Sequence, residues 1–369
     1  MPHGILHFAE REAQPSSSVI NGRFLAKPHS GVSRVGLELL RALAEELAAD
    51  ARSAQRLRVA VPAQAALTLP DHTLLRTRGF ASNLGVQLAL PALYPGATVI
   101  SFCNETPLLA SGSVLWIHDT NIFDAKDSYP RSYRLWHRLM LEAAKLRRFE
   151  IVTVSAHARE RLLQRGLAPE RVRVIHNGGD HILRAPEDSS VLEQVGLGGR
   201  DYILVVGSPA RHKNVPFAIE ALLPLCSSQR RLAVLGLSQA GPYADAGALA
   251  GDPRVTILPR VSDGQLRALY RQAQVVLSPS LCEGFGLYAA EAMFADSGPL
   301  VLSNRGALPE VAGPAAIYFD PSDADALRAA VQRALEPDTR SALRQAARVQ
   351  REHFRWRRAA REVLDAYFS

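Results

Sequence analysis

The segment AQVVLSPSLCEGFGLYAAEAM, residues 273–293, decides the fold class. A β-branched apolar run (Val275, Val276, Leu277) ends in Ser-Pro-Ser, crosses a turn holding Gly284 and Gly286, and enters a helix-forming stretch near Leu287. Strand, glycine turn and helix in that order make one unit of a parallel sheet wrapped by helices. Working outward, the pattern recurs in two series. The first predicts strands at 19–25 (VINGRFL), 57–62, 97–101, 113–118 and 150–155, and the second at 201–207, 231–236, 254–259, 273–280 and 300–304. Two such series predict an α/β chain of two doubly wound domains, and 369 residues suit two units of roughly 150 to 200 each. The break is expected between Asp180 and Gly199, a stretch carrying Pro, Ser and Gly, which gives domains over 1–180 and 181–351.

Composition narrows the class. Hydrophobic residues make up 47% and charged residues 21%, the balance of a globular chain and not of a disordered or fibrous one. No run approaches the ~20 apolar residues of a spanning helix, and MPHGILHFAERE lacks a basic region followed by an apolar one, so a cytoplasmic location is expected. Cys103, Cys226 and Cys282 form no CxxC pair, which argues against a disulfide framework or structural zinc and for small buried hydrophobes. The net charge of +7 is unevenly placed: ten arginines between Arg328 and Arg361 face Glu336, Asp338, Glu352 and Glu362. Such an excess attracts anions, whether nucleic acid, anionic lipid or phosphorylated small molecules. The last segment reads as an amphipathic helix, with Trp356, Ala360, Val363 and Tyr367 on one face and Arg351, Arg355, Arg358 and Glu362 on another.

Ligands of open α/β sheets bind beyond the carboxyl ends of the strands, so the strand-to-helix junctions are the candidate sites. At 278–291, Gly284 and Gly286 let the backbone approach a ligand, and the following helix start offers free N–H groups to a diphosphate. Glu283 and Glu291 flank that start and are expected to line one pocket from opposite sides, one on sugar hydroxyls and one on a ribose. At VVGSPARHKNVPFAIEAL, Asn214 suits an N-cap and Pro216 a first turn. Arg211, His212 and Lys213 then crowd the positive end of a helix, which makes a phosphate between them plausible. At SGVSRVGLELL, Gly31 precedes a helix and lets the amide of Val32 approach a phosphate. At SVLWIHD, His118 ends a strand and is a candidate to polarise or hydrogen-bond a reacting sugar.

Taken together, these residues resemble the family-4 group of retaining GT-B glycosyltransferases. The likeness runs from INGRFL and SGVSR through WIHD, RVIHNGGD and VVGSPARHKN to SNRGALPEVAG and FRWRRAAREVL, with Leu258 to Met293 its most specific part. It implies a GT-B fold, two Rossmann-like domains across a cleft, with the C-terminal helix (352–369) crossing back to the first. It implies further that Glu283 contacts the transferred hexose and Glu291 the ribose, with the amides of Gly284, Phe285, Gly286 and Leu287 on sugar and phosphates. Lys213, with Arg211 or His212, would hold the diphosphate; where many relatives carry arginine after the strand glycine, this chain has Ser208. Asn177, Gly178 and Asp180 match the family's interdomain hinge, Val261 stands where relatives meet the base, and His118 falls near the reacting carbon.

The resemblance implies transfer of a hexose from a nucleotide diphosphate sugar with retention, without a metal or any cofactor beyond the donor. Features such as INGRFL and SGVSR look closest to bacterial polysaccharide mannosyl- and rhamnosyltransferases, which favours GDP-mannose as donor and a saccharide or lipid-linked saccharide as acceptor. A nucleotide-sugar 2-epimerase on the same fold is the alternative, and would convert donor without an acceptor. A sugar- or nucleic-acid-binding module would rest on the basic charge alone; aromatic residues seldom interleave with the basic ones, so nucleic acid is not an expected partner. The run 129–148, with Tyr129, Tyr133 and Trp136 among six arginines and lysines, suits an anionic membrane surface on the cytoplasmic side.

Overall fold

The computed structural model describes residues 18–26, 30–49, 57–65, 74–237 and 252–368. Its first sheet contains β1 (Val19–Asn21), β2 (Leu57–Pro62), β3 (Leu74–Gly79), β4 (Thr98–Ser101), β5 (Gly112–Trp116), β6 (Glu150–Thr153) and β7 (Val172–Val174). The second contains β8 (Asp201–Val206), β9 (Arg230–Leu235), β10 (Val255–Ile257), β11 (Val275–Ser278), β12 (Leu300–Ser303) and β13 (Ala316–Phe319). All pairings are parallel, in the orders β3-β2-β1-β4-β5-β6-β7 and β10-β9-β8-β11-β12-β13. Parallel strands are covered on both faces, which is why β11 (VVLS) and β12 (LVLS) are apolar runs buried throughout. In each sheet the order reverses once, between β1 and β4 and between β8 and β11. Those reversals are where such sheets open a crevice for ligand.

The expected strands are all present, with shorter ends. VINGRFL is the exception: β1 stops at Asn21 and Gly22–Ala26 winds into a short 3-10 helix. The Asn21 side chain accepts from the Arg23 amide and turns the chain there. Strands β3, β7 and β13 lie outside the expected set. β7 is three residues long, and β3 is an edge strand reading LLRTRG with charges at alternate positions. Neither gives a sustained apolar signal.

The C-terminal helix α9 (Trp356–Tyr367) does cross back to the first domain. Trp356, Ala360 and Val363 are buried, Tyr367 meets Trp116 at 6.2 Å between ring centroids, and Arg361 pairs with Glu46 of helix α1 (Gly31–Ala49) at 2.7 Å. The segment 177–180 is pressed against the start of this helix. A Cβ on Gly178 would fall 2.3 Å from the Trp356 nitrogen, whose N–H donates to the Asp180 carboxylate at 2.9 Å.

Candidate active site

Two strand ends of the second sheet build one side of the site. After β8 the chain passes Ser208, turns through a 3-10 segment at Arg211–Lys213, and enters α5 (Val215–Leu222). After β11 it passes Ser280, makes the glycine turn and enters α7 (Leu287–Phe294). The Leu281 amide donates to the His212 carbonyl at 2.7 Å and locks the two junctions together. Across that lock the Lys213 ammonium donates to Glu283 Oε1 at 2.6 Å. Ser280 at 2.8 Å and Tyr288 at 3.1 Å donate to the same oxygen, while Oε2 takes no hydrogen bond among the described residues. Burial on its own would push the Glu283 carboxyl up. The Lys213 charge and the hydrogen bonds from Lys213 and Ser280 outweigh it and hold the group below its ordinary range, so it is an anion.

The other basic residues of this junction differ. Arg211 is exposed, whereas His212 is buried beside the Lys213–Glu283 pair, stacked on Tyr129 of the first domain at 6.0 Å. Burial and then Lys213 lower its pKa, so His212 is neutral and Arg211 is the cation free to join Lys213 on an anion. Asn214 occupies the N-cap position of α5 but caps with its backbone alone; it sits in the left-handed region at φ 54°, and its side-chain amide donates to the Pro321 carbonyl.

Gly284 and Gly286 are required by contact and conformation respectively. A Cβ on Gly284 would lie 2.1 Å from the His118 carbonyl of the first domain, and Gly286 has φ +84°. The Ser155 hydroxyl donates to the Gly284 carbonyl at 2.6 Å while accepting the Ala158 amide that starts helix α4 (Ala156–Leu163). Phe285 points inward, edge-on to Phe354, so only its backbone is left for a ligand. Where the domains meet, a cavity of about 240 Å³ opens, lined by Asp119, Asn121, Asp124 and His157 on one side and Cys282, Glu283, Gly284 and Arg305 on the other.

His118 corrects an expectation. Its Nε2 lies 2.6 Å from the Phe102 carbonyl, an acceptor only, so the ring carries its proton there and has only Nδ1 to offer, as an acceptor. Burial lowers its pKa to about 4, which removes the imidazolium that would polarise a sugar. The ring is not part of the cavity lining; its neighbour Asp119 is. Burial raises the Asp119 carboxyl, and the charges of Glu283 and Asp124 add to the rise. Cys282 is half-buried and not a core residue, and burial beside Glu283 pushes its thiol up to about 12, which rules out a thiolate near neutral pH.

Glu291 corrects another. It does not line the Glu283 cavity: it is buried, with Oε1 3.0 Å from His181 Nε2 and Oε2 accepting from Tyr270 at 3.0 Å. The indole of Trp356 donates to His181 Nδ1 at 3.0 Å. An indole only donates, so Nδ1 is bare and Nε2 carries the hydrogen that faces Glu291. Val261 lines a separate open cavity of about 960 Å³ with Gly236, Leu258, Pro259 and Arg260. Gly31 and Val32 form the first turn of α1, with open space around Gly31. Arg34, one residue past Ser33 in that turn, forks onto Asp263 at 2.8 Å through both nitrogens, and Asp263 begins helix α6 (Asp263–Gln272) just after Val261. Sequence reasoning gave no role to Arg34, Asp263, Asp119, Arg305 or Tyr288, although each fell inside a stretch already singled out: SGVSR, the segment 258–293 (Asp263 and Tyr288), WIHD and SNRGALPEVAG. Among the described residues no group of three or more His, Cys, Asp or Glu could hold a metal ion.

Residues 192–350 match the family model described as Glycosyl transferases group 1. The O-antigen chain mannosyltransferase B of Escherichia coli is 29% identical over 273 residues, 69% of this chain and 70% of that protein. The MMP alpha-(1->4)-mannosyltransferase of Mycolicibacterium hassiacum is 31% identical over 195 residues, 51% of this chain and 45% of its own length. The structure of Anabaena Alr3699/HepE in complex with UDP and glucose aligns with a TM-score of 0.71 at 17% identity, over 95% of this chain and 98% of that one. At that identity the likeness is one of fold, and the fold is GT-B.

Proposed function

We propose that this glycosyltransferase, whose residues 192–350 form a group 1 domain, moves a hexose from a nucleoside diphosphate sugar to a saccharide hydroxyl with retention of configuration. The observation that carries the reading is the Lys213–Glu283 pair, which stands at the β8/β11 reversal and faces the interdomain cavity through Glu283. Glu283 has an unused carboxylate oxygen for a sugar hydroxyl. Lys213 exchanges Glu283 for the diphosphate, joined by exposed Arg211 and the first amides of α7.

In this reading the bond from the anomeric carbon to the phosphate oxygen breaks as the acceptor oxygen bonds to that carbon from the same face. The acceptor's proton passes to the leaving phosphate oxygen. The protein contributes position and charge, with cationic side chains and helix amides taking up the developing negative charge in place of a metal. The mannosyltransferases among the relatives favour GDP-mannose as donor, and those named for O-antigen favour a saccharide or lipid-linked saccharide acceptor. No helix among the described residues is long and apolar enough to cross a membrane; in this reading a lipid-linked acceptor is met by peripheral attachment at the cytoplasmic face.

The test has two steps. Thermal shift with UDP, GDP and dTDP identifies the nucleotide, since a ligand bound only by the folded state raises the melting temperature. Release of that nucleotide from its sugar in the presence of acceptor is then followed for Glu283→Gln and Lys213→Ala. Each is expected to lose at least ~100-fold in kcat/KM; near-native turnover in either would refute the assignment.

A further inference from the structure

A second cavity, of about 600 Å³, lies on the first domain against the cleft cavity. The short helix α2 (Asn121–Asp124) is the wall between them: Asn121 and Asp124 line the cleft side, Ile122 and Phe123 the other. Arg131, Arg134, Arg138 and Lys145 of helix α3 (Arg131–Leu146) and Arg165 beyond α4 line this second cavity, against one carboxylate, Glu142. Glu142 is spent on Lys145 at 2.9 Å. Arg165 is aimed by Asp124 and by the Phe123 ring, 4.6 Å below its guanidinium, yet its Nε is buried with no hydrogen-bond partner. Arg131, Arg134 and Arg138 have no ion pair or side-chain hydrogen bond among the described residues.

A solvated basic face would look different. Like charges at i, i+3 and i+7 on one helix repel, and a surface helix relieves this with interspersed acids; here the stripe curls into a concavity instead. At roughly 100° per residue, α3 divides into three sectors. Met140, Leu141 and Ala144 are buried, the arginines and Lys145 form the next sector, and Leu135, Leu139 and Leu146 form the third. Those leucines are 59%, 53% and 85% exposed, an apolar ridge beside the cationic cavity.

We propose that this cavity binds the phosphate or diphosphate of the acceptor, while the acceptor's reacting sugar reaches over α2 into the cleft beside Glu283. The proposal deepens, and rests on, the reading of the chain as a transferase. The leucine ridge is placed to meet an apolar chain attached to that phosphate, so the anion is a lipid-linked one and not a free phosphorylated sugar.

The experiment saturates the donor side with the nucleotide chosen by thermal shift, then titrates the full chain calorimetrically with inorganic diphosphate and with farnesyl diphosphate. Both are expected to bind, the farnesyl compound more tightly. Arg134→Glu with Arg138→Glu is expected to weaken both by about 10-fold per arginine, ~100-fold together. Arg333→Glu, an exposed arginine of the second domain, controls for net charge. Equal affinity for the two probes would keep the anion site and reassign it to a soluble phosphorylated acceptor. Unchanged affinity in the double variant, with its circular dichroism intact, would overturn the proposal. So would binding to vesicles of phosphatidylglycerol and phosphatidylcholine but to neither diphosphate, since α3 would then meet a bilayer and not an acceptor. Nucleotide release by the unsubstituted chain is read separately, so a failed transferase reading is told apart from a failed acceptor site.

Discussion

At the scale of single residues, Asp119 carries the most informative charge. Its carboxyl is raised above the ordinary value by burial first, then by Glu283 and Asp124, against the Asn121 amide and Lys213. A raised acid pKa means that the folded chain holds the proton more tightly than the unfolded one. Stability therefore falls as pH rises from the ordinary value near 3.8 to the folded one, and the penalty persists above it. Asp119→Asn keeps an oxygen for the Asn121 amide and removes the charge. We expect it to raise the melting temperature by roughly 2–4 °C at pH 8, with the gain shrinking toward pH 4. If transfer falls while stability rises, the carboxylate is kept for the reaction; a gain independent of pH would show that its charge is not what strains the fold. Glu283 and Lys213 were legible because a glycine turn and a helix start surround them in the sequence itself. Asp119 was not, because its burial is created by Gly284 and its neighbours, some 165 positions further along the chain.

Among elements, the strands were legible as apolar runs and the C-terminal helix as an amphipathic period. What the period could not give is the polar thread inside the contact: Trp356 to His181 to Glu291, with Tyr270 on the far oxygen. This thread joins α9 to α7 through His181 and uses both oxygens of Glu291. Trp356→Phe keeps the packing ring but deletes the donor that fixes the His181 tautomer, which leaves a buried ring nitrogen unpaired. Urea unfolding is expected to show a loss of roughly 1–3 kcal/mol. If Glu291 meets the donor's ribose, donor KM rises in the same variant with kcat nearly unchanged. An unaltered unfolding midpoint would mean that water replaces the indole.

For the whole molecule, the question is what holds two domains together over a cleft. Besides α9, ionic contacts cross it, among them the pair of Arg184 with the buried Glu38 of α1. Arg34 forks onto Asp263, and Glu310 of helix α8 (Leu308–Ala312) accepts the Ala156 and His157 amides at the start of α4, with His176 Nε2 at 2.8 Å. A carboxylate at a helix N-terminus meets the positive end of its dipole, so Glu310 ties the second domain to α4 with both oxygens used. The sequence predicted facing domains but not these links, because each joins residues more than 130 positions apart with no local pattern. The Arg34–Asp263 pair is about a third exposed on either side, so its net worth to folding is only about 0–1 kcal/mol. Its larger effect is geometric: it holds the first turn of α1, with Gly31 and Val32, against the loop that follows Val261. Arg34→Ala should therefore leave the unfolding midpoint nearly unchanged yet raise donor KM several-fold, and 0.5 M salt should narrow the gap between variant and parent by screening the parent's pair. A variant whose KM matches the parent at low salt would mean that α1 keeps its place without the fork, held by the Arg184–Glu38 pair and by α9.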